Sequence, residues 1–236
     1  MSDVSNLFSF ARSEDAAKET EPSPSPKDNK PKKKPETTKR KTLLFLRDTV
    51  IVVGTALLVS WLVTSFVVRA FVIPSGSMEN TLQINNRILV SMMYPQVGGV
   101  HRGDVVVFKD PGGWLPQSES NDGYLIKRVI GLPGDKVSCC NEFGQVEVNG
   151  VGVNETYVKP GSAPSNIEFD VTVPEGHIWV MGDNRSNSKD SRYQTNSENG
   201  SFVPIDDIVG QAVMVTWPIS EFKWISGDAN IIFPKD

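Results

Sequence analysis

Thr49 to Val68, TVIVVGTALLVSWLVTSFVV, is a run of twenty residues without a charge, bracketed by Asp48 and Arg69. At about 1.5 Å per residue, a helix of that length matches a hydrocarbon core about 30 Å thick. A cleaved signal peptide has a shorter apolar core, a shorter leader and a small-x-small site behind it, and this stretch has none of these. The core helix of a soluble domain keeps a polar face over several turns, and this run has none. A membrane-spanning helix over 49–68 is the reading that remains.

Charge gives the span a direction. Lys27, Lys30, Lys32, Lys33, Lys34, Lys39, Arg40, Lys41 and Arg47 precede it, against Asp28 and Glu36, and a lone Arg69 opens the other side. The positive-inside rule puts the N-terminus in the cytoplasm and everything after Arg69 outside a cell membrane crossed once. The basic tail, 1–48, is rich in Ser, Pro, Lys and Glu, with SPSP and KPKKKP tracts. It has too few apolar residues to offset chain entropy and is expected to be disordered. Its lysines are read as a topology signal and as solvation. The net charge of −4 leaves the rest of the chain acidic, which argues against nucleic-acid binding.

Of the 236 residues, those after the span suffice for one large domain or a domain with a small insertion. Their texture is β. Arg87–Val90, Val105–Phe108, Leu125–Ile130, Ile178–Met181 and Gln211–Trp217 are short apolar runs between turn signals. Gly131-Leu132-Pro133-Gly134-Asp135 has Pro and Gly in type II order. Val146 and Val148 alternate with polar residues before Asn149-Gly150, a strong hairpin signal. Phe169, Val171 and Val173 alternate again. The expected fold is mainly β: an antiparallel sheet or barrel-like core over 69–136 and 174–236, with a small inserted β subdomain at 137–173.

The two cysteines, Cys139 and Cys140, are adjacent, so they can close only a small strained ring and no long-range disulfide. They are read as structural. The two histidines, His101 and His177, are far apart, and no metal-ligand spacing is present.

The stretch Phe71–Leu82, FVIPSGSMENTL, holds Ser75 and Ser77 in a Gly-containing turn. Ser77 is nine residues past Val68, a reach of at most roughly 30 Å, so it lies near the outer face of the membrane. A serine hydroxyl needs a base. His101 precedes a turn and His177 begins a strand, and both read as structural, although spacing alone leaves a Ser-His-Asp arrangement open. Lys127 offers an alternative. Period 2 puts Leu125, Lys127 and Val129 on one face of a strand, which buries the amine among apolar side chains and lowers its pKa. Gly182–Arg192, GDNRSNSKDSR, is dense in hydrogen-bonding groups that could orient such a base. The Arg102-Gly103-Asp104 tripeptide is explained by a turn. Asn154, Asn184 and Asn199 open glycosylation sequons, relevant only in a eukaryotic secretory pathway.

Four stretches, in this order, resemble one family. Ile73-Pro74-Ser75-Gly76-Ser77-Met78, Arg102–Phe108 (RGDVVVF), Tyr124–Asp135 (YLIKRVIGLPGD) and Gly182–Arg192 look like the boxes of the bacterial type I signal peptidases, membrane-anchored Ser-Lys proteases. The resemblance covers essentially residues 49–218 and includes the N-terminal anchor. It implies a mainly β catalytic domain with an insertion, and a serine endopeptidase that removes signal peptides from secreted preproteins at small-x-small sites. Ser77 would attack the scissile carbonyl. Neutral Lys127 would be the general base and later protonate the leaving amine. Ser75 and the amide of Ser77 would form the oxyanion hole. Ser188 would hydrogen-bond and orient Lys127, with Asp190, Arg192 and Arg128 as structural support. Phe71, Ile73, Ile126 and Leu125 would line shallow pockets for small side chains at the −1 and −3 positions. Secretory preproteins and the lipid bilayer are the implied partners, with the secretion translocon as an expected neighbour. No cofactor or metal is implied.

Two departures stand out. Asn80 occupies the place of a usual proline before Thr81-Leu82, and Leu125 that of a frequent aromatic. Other readings are a Ser-Lys peptidase dedicated to a few substrates, an inactive membrane-tethered scaffold, and a soluble self-cleaving repressor. The intact Ser77, Lys127 and Ser188 oppose the scaffold, and the span opposes the repressor.

Overall fold

The computed structural model describes residues 38–115, 123–196, 200–225 and 227. Residues 1–37 of the basic tail and Asn199 lie outside the described residues. The apolar run is helical, but with different ends from those hydropathy suggests. Helix α1 spans Thr38–Phe66. It begins within the 1–48 stretch expected to be disordered, because residues 38–48 contain good helix formers and neither Gly nor Pro. It stops at Phe66, and Val68 already belongs to a strand. The side chains from Arg40 to Phe66 are exposed along nearly the whole helix. Among the described residues it is the one helix long and apolar enough to cross a membrane, with 27 residues from Arg40 to Phe66 and mean hydropathy 2.0.

The remainder is antiparallel β, as the alternating patterns predict. The strands are β1 (Val68–Val72), β2 (Arg87–Ser91), β3 (Val105–Lys109), β4 (Tyr124–Gly131), β5 (Lys136–Cys139), β6 (Val146–Val148), β7 (Val151–Gly152), β8 (Phe169–Thr172), β9 (His177–Met181), β10 (Val203–Pro204), β11 (Ile208–Trp217) and β12 (Lys223–Trp224). The larger sheet runs β1-β2-β11-β3-β4-β9-β10, with β12 also on β11. The smaller one runs β7-β6-β5-β8 and is formed between Lys136 and Thr172. The β6–β7 turn has positive φ at both Asn149 (54°) and Gly150 (79°), as a type I′ hairpin requires.

Alternation along β3 and β4 separates two cores. Val105, Val107 and Ile126 pack with Ile73, Met78, Leu82, Ile88, Val90 and Val215. Val106, Phe108, Leu125 and Val129 pack with Trp114, Ile178 and Val180. A third cluster, centred on Trp179, joins β9 to Val137, Val146 and Val148 of the smaller sheet. At the end of β5, Cys139 and Cys140 are bonded to each other.

Candidate active site

The loop between β1 and β2 carries the two serines. Its ends are closed by Ile73 N–H donating to Asn86 O (2.9 Å) and Asn85 N–H donating to Ile73 O (2.8 Å). Met78 and Leu82 are fully buried and fasten the loop to the core. Between these anchors Gly76–Met78 forms one 3₁₀ turn, which puts Ser77 in the interior at 7% exposure. From the other side the loop after β9 grips the same turn. Asn184 N–H donates to Ser77 O (3.1 Å), and Asn184 Nδ2 donates to Gly76 O (3.0 Å).

Lys127 enters from β4, where Leu125, Lys127 and Arg128 stand opposite Phe108, Val106 and Val105 of β3. It is 4% exposed. Its Nζ donates to Ser77 Oγ over 2.7 Å and to the Ile126 carbonyl over 3.0 Å. Burial pushes the amine down from an ordinary value near 10.5 to about 8, against the charges of Asp190 and Asp183, which favour the ammonium. Near neutral pH a usable fraction is therefore the free amine, with its lone pair within hydrogen-bond reach of the Ser77 hydroxyl. Ser75 Oγ lies 3.4 Å from Ser77 Oγ on the exposed side of the turn.

The other predicted residues divide. Asp190 accepts both arms of Arg192 (2.8 Å each) and the Gly182 N–H (2.9 Å). Arg192 also donates to Arg185 O (3.0 Å), so this pair braces the loop without touching Lys127. Arg128 is engaged by other groups. It forks onto Asp183 through Nε (2.8 Å) and Nη2 (2.7 Å), and it donates to Gly103 O (2.7 Å). Ser188 is buried, but its Oγ has no hydrogen-bond partner among the described residues, so the expected bond to Lys127 is not formed. A Cβ at Gly182 would collide with both Ser188 Oγ and Ser77 O, which places all three residues in one tight packing site.

Of the four expected pocket residues, Ile73 and Ile126 share a core with Phe71 packed against it. Leu125 belongs to the other core, because strand alternation turns it away from Ile126. Tyr124 stands with Phe71 instead, ring to ring at 5.6 Å. The histidines are engaged elsewhere. The His101 ring approaches Asp104 (3.5 Å), and His177 Nδ1 is 2.9 Å from Glu175 O. Asn184, 2% exposed, has no room for a glycan.

Several contributors carry no readable signal in the sequence. Thr81 Oγ1 donates to Asp183, Glu155 receives a fork from Arg185, and the Tyr157 ring lies 4.0 Å beneath the Arg128 guanidinium. The density of polar residues in Gly182–Arg192 reads as groups that could orient a base, and does not point to these partners.

A buried serine hydroxyl bonded to a buried lysine of lowered pKa is the apparatus of a serine hydrolase that uses lysine as its base. The chain belongs to the signal peptidase family, peptidase S26, whose model matches residues 46–217, and it is a serine endopeptidase of that family. It is 37% identical over 199 residues to a probable signal peptidase I-2 of Synechocystis sp., covering 84% of each chain. It is 31% identical over 235 residues to signal peptidase I of Mycobacterium tuberculosis, covering 80% of this chain and 77% of that one. Against signal peptidase I U of Bacillus subtilis the identity is 37% over 163 residues, 66% of this chain and 79% of that one.

Proposed function

We propose that this membrane-anchored protein removes N-terminal signal peptides from secreted preproteins, cutting after small-x-small sequences with Ser77 as nucleophile and Lys127 as base. The observation that carries the reading is the 2.7 Å bond between Lys127 Nζ and Ser77 Oγ in a buried site.

The Ser77 proton passes to the neutral amine as Oγ bonds the scissile carbonyl carbon. The oxyanion is met by the Ser75 hydroxyl and the Ser77 amide, donors of a kind worth about 3–4 kcal/mol each in acyl transfer. Collapse breaks the C–N bond, and Lys127 returns its proton to the leaving amine of the mature protein. Lys127 takes a proton from water as its oxygen bonds the ester carbonyl carbon; the C–Oγ bond then breaks, Lys127 returns the proton to Ser77 Oγ, and the signal peptide leaves as its acid. Phe71, Ile73, Ile126 and Tyr124 supply the apolar surface for the small side chains at −1 and −3.

The cation bias before the apolar run supports a cytoplasmic N-terminus and an extracytoplasmic β domain. Contact of that domain with the bilayer is supported by Val72, Trp217, Ile219, Phe222 and Trp224, all large, apolar and more than half exposed. Tethering at the outer face brings the serine to the site where signal peptides end, close to the translocon that delivers them. Ser77→Ala and Lys127→Ala should each lower preprotein cleavage by on the order of 10³ or more, with the β-sheet circular dichroism unchanged. Wild-type turnover by Lys127→Ala overturns the mechanism.

A further inference from the structure

Asn80, where the family pattern has proline, follows the nucleophile by three residues. Its φ is +89°, a left-handed value closed to proline, whose ring fixes φ near −65°, and one that Asn tolerates better than most residues. Its Nδ2 donates to the Tyr157 carbonyl over 2.9 Å, across 77 positions of sequence. Beside it Glu79 accepts from Lys159 Nζ (2.6 Å) and from Asn184 Nδ2 (3.0 Å). Two consecutive residues of the nucleophile loop thus hold two residues of one segment, 155–159, in the connection between β7 and β8 of the smaller sheet.

That segment is fixed independently of Asn80. Tyr157 is 4% exposed, with its ring under Arg128 and its hydroxyl donating to Glu155 (2.7 Å). Glu155 is forked by Arg185, and Lys159 N–H donates to Asp183 O (2.9 Å). The segment is a rigid strap tied to β4 and to the loop after β9. Asn80 is where the serine loop is fastened to it.

We propose that Asn80 is a positioning residue for Ser77. By tying the left-handed turn to the Tyr157 carbonyl, it sets where Ser77 Oγ stands relative to Lys127 Nζ. This rests on the reading of Ser77 and Lys127 as nucleophile and base. The loop has further anchors in Met78, Leu82 and the Thr81–Asp183 bond, so loss of the Asn80 tie shifts the serine without unfolding the loop.

Two full-length variants in detergent test this. Asn80→Gly keeps the left-handed turn and removes the tie. Asn80→Asp keeps the shape and replaces the donor with an acceptor facing a carbonyl. Steady-state cleavage of a preprotein should show kcat down roughly tenfold in both, because small misplacements of reacting atoms are costly. KM should stay within about twofold, and the pH midpoint of Asn80→Gly should equal that of the wild type, since the amine is untouched. Wild-type kcat in either folded variant overturns the proposal. So does a raised KM with kcat unchanged, or a loss that vanishes when kcat is expressed per folded molecule. Ser77→Ala run alongside separates the two levels: if it still cleaves, the reading of the site falls. If it is inactive while Asn80→Gly turns over normally, only the role of Asn80 falls.

Discussion

Lys127 and Arg128 are neighbours in one strand, and their charges are met in opposite ways. Arg128 is forked onto the carboxylate of Asp183, buried to 2% and 0% side-chain exposure. Lys127 bonds a serine hydroxyl and a backbone carbonyl, and neither partner carries a charge. Of two adjacent buried cations, only the one without a direct counter-ion has a reason to shed its proton.

The rate should therefore follow that proton. With the Lys127 amine near 8, kcat/KM rises through about pH 8 and levels by about pH 9 to 10. A pH–rate profile on a preprotein substrate checks this. A rate still climbing between pH 9 and 11 assigns the base an ordinary amine and sinks the idea.

Stability should follow it too. The unfolded lysine titrates near 10.5 and the folded one near 8, so between these values the unfolded chain binds the extra proton. Stability contributed by this group rises with pH across that window and is lowest below pH 8. Lys127→Met, which has no charge to bury, should be more stable than wild type by up to about 3 kcal/mol at pH 6, with the gap closing towards pH 10. Denaturant unfolding at several pH values measures it, and a pH-independent difference contradicts the account.

Arg128→Met strands the carboxylate of Asp183 with its guanidinium partner gone. Breaking a buried pair from one side costs about 3–5 kcal/mol, far more than an exposed pair would. Equilibrium unfolding should show a drop of that size. A loss below about 1 kcal/mol means Asp183 has found another partner.

Gly182→Ala places a methyl group 2.5 Å from the Ser77 carbonyl, a backbone atom that cannot swing aside. Overpacking of this kind costs about 1–3 kcal/mol. Because the strained contact is to the nucleophile itself, kcat should fall at least about tenfold. Turnover and unfolding of this single variant, measured together, decide whether the site gives way locally or the loop rearranges at no cost.

Much of the fold is written in local patterns. The short apolar runs Leu125–Ile130 and Ile178–Met181, bounded by turn signals, and the Asn149-Gly150 pair sufficed to place β4, β9 and the β6–β7 turn. The helix ends were not legible, because Val67 and Val68 extend the apolar texture of α1 into β1 without a break, and hydropathy does not distinguish a lipid-facing valine from a strand valine. Buried Lys127 was legible from period 2. Its approach to Ser77, 50 residues away, was carried by resemblance and not by pattern. Leu125 entered the pocket through the resemblance, yet alternation sets it on the face of β4 opposite Ile126, in the core with Phe108 and Val129. The bonds of Glu155, Tyr157 and Lys159 to the serine loop and to Asp183 and Arg185 were invisible. Nothing in the composition of a polar loop says which distant backbone it will meet.

The strap between Glu155 and Lys159 has a bearing on how this enzyme tolerates editing. A small sheet inserted between two strands looks like cargo that could be trimmed or exchanged to make a minimal protease. Here the β7–β8 connection within that sheet is bolted to the serine loop. Excision from Lys136 to Thr172 would remove Glu155, Tyr157 and Lys159 together, taking the carboxylate from Arg185, the ring from beneath Arg128 and the ammonium from Glu79. Shortened versions would have to keep residues 154–162 and cut only the β5–β8 hairpins, with a new splice on either side of the strap.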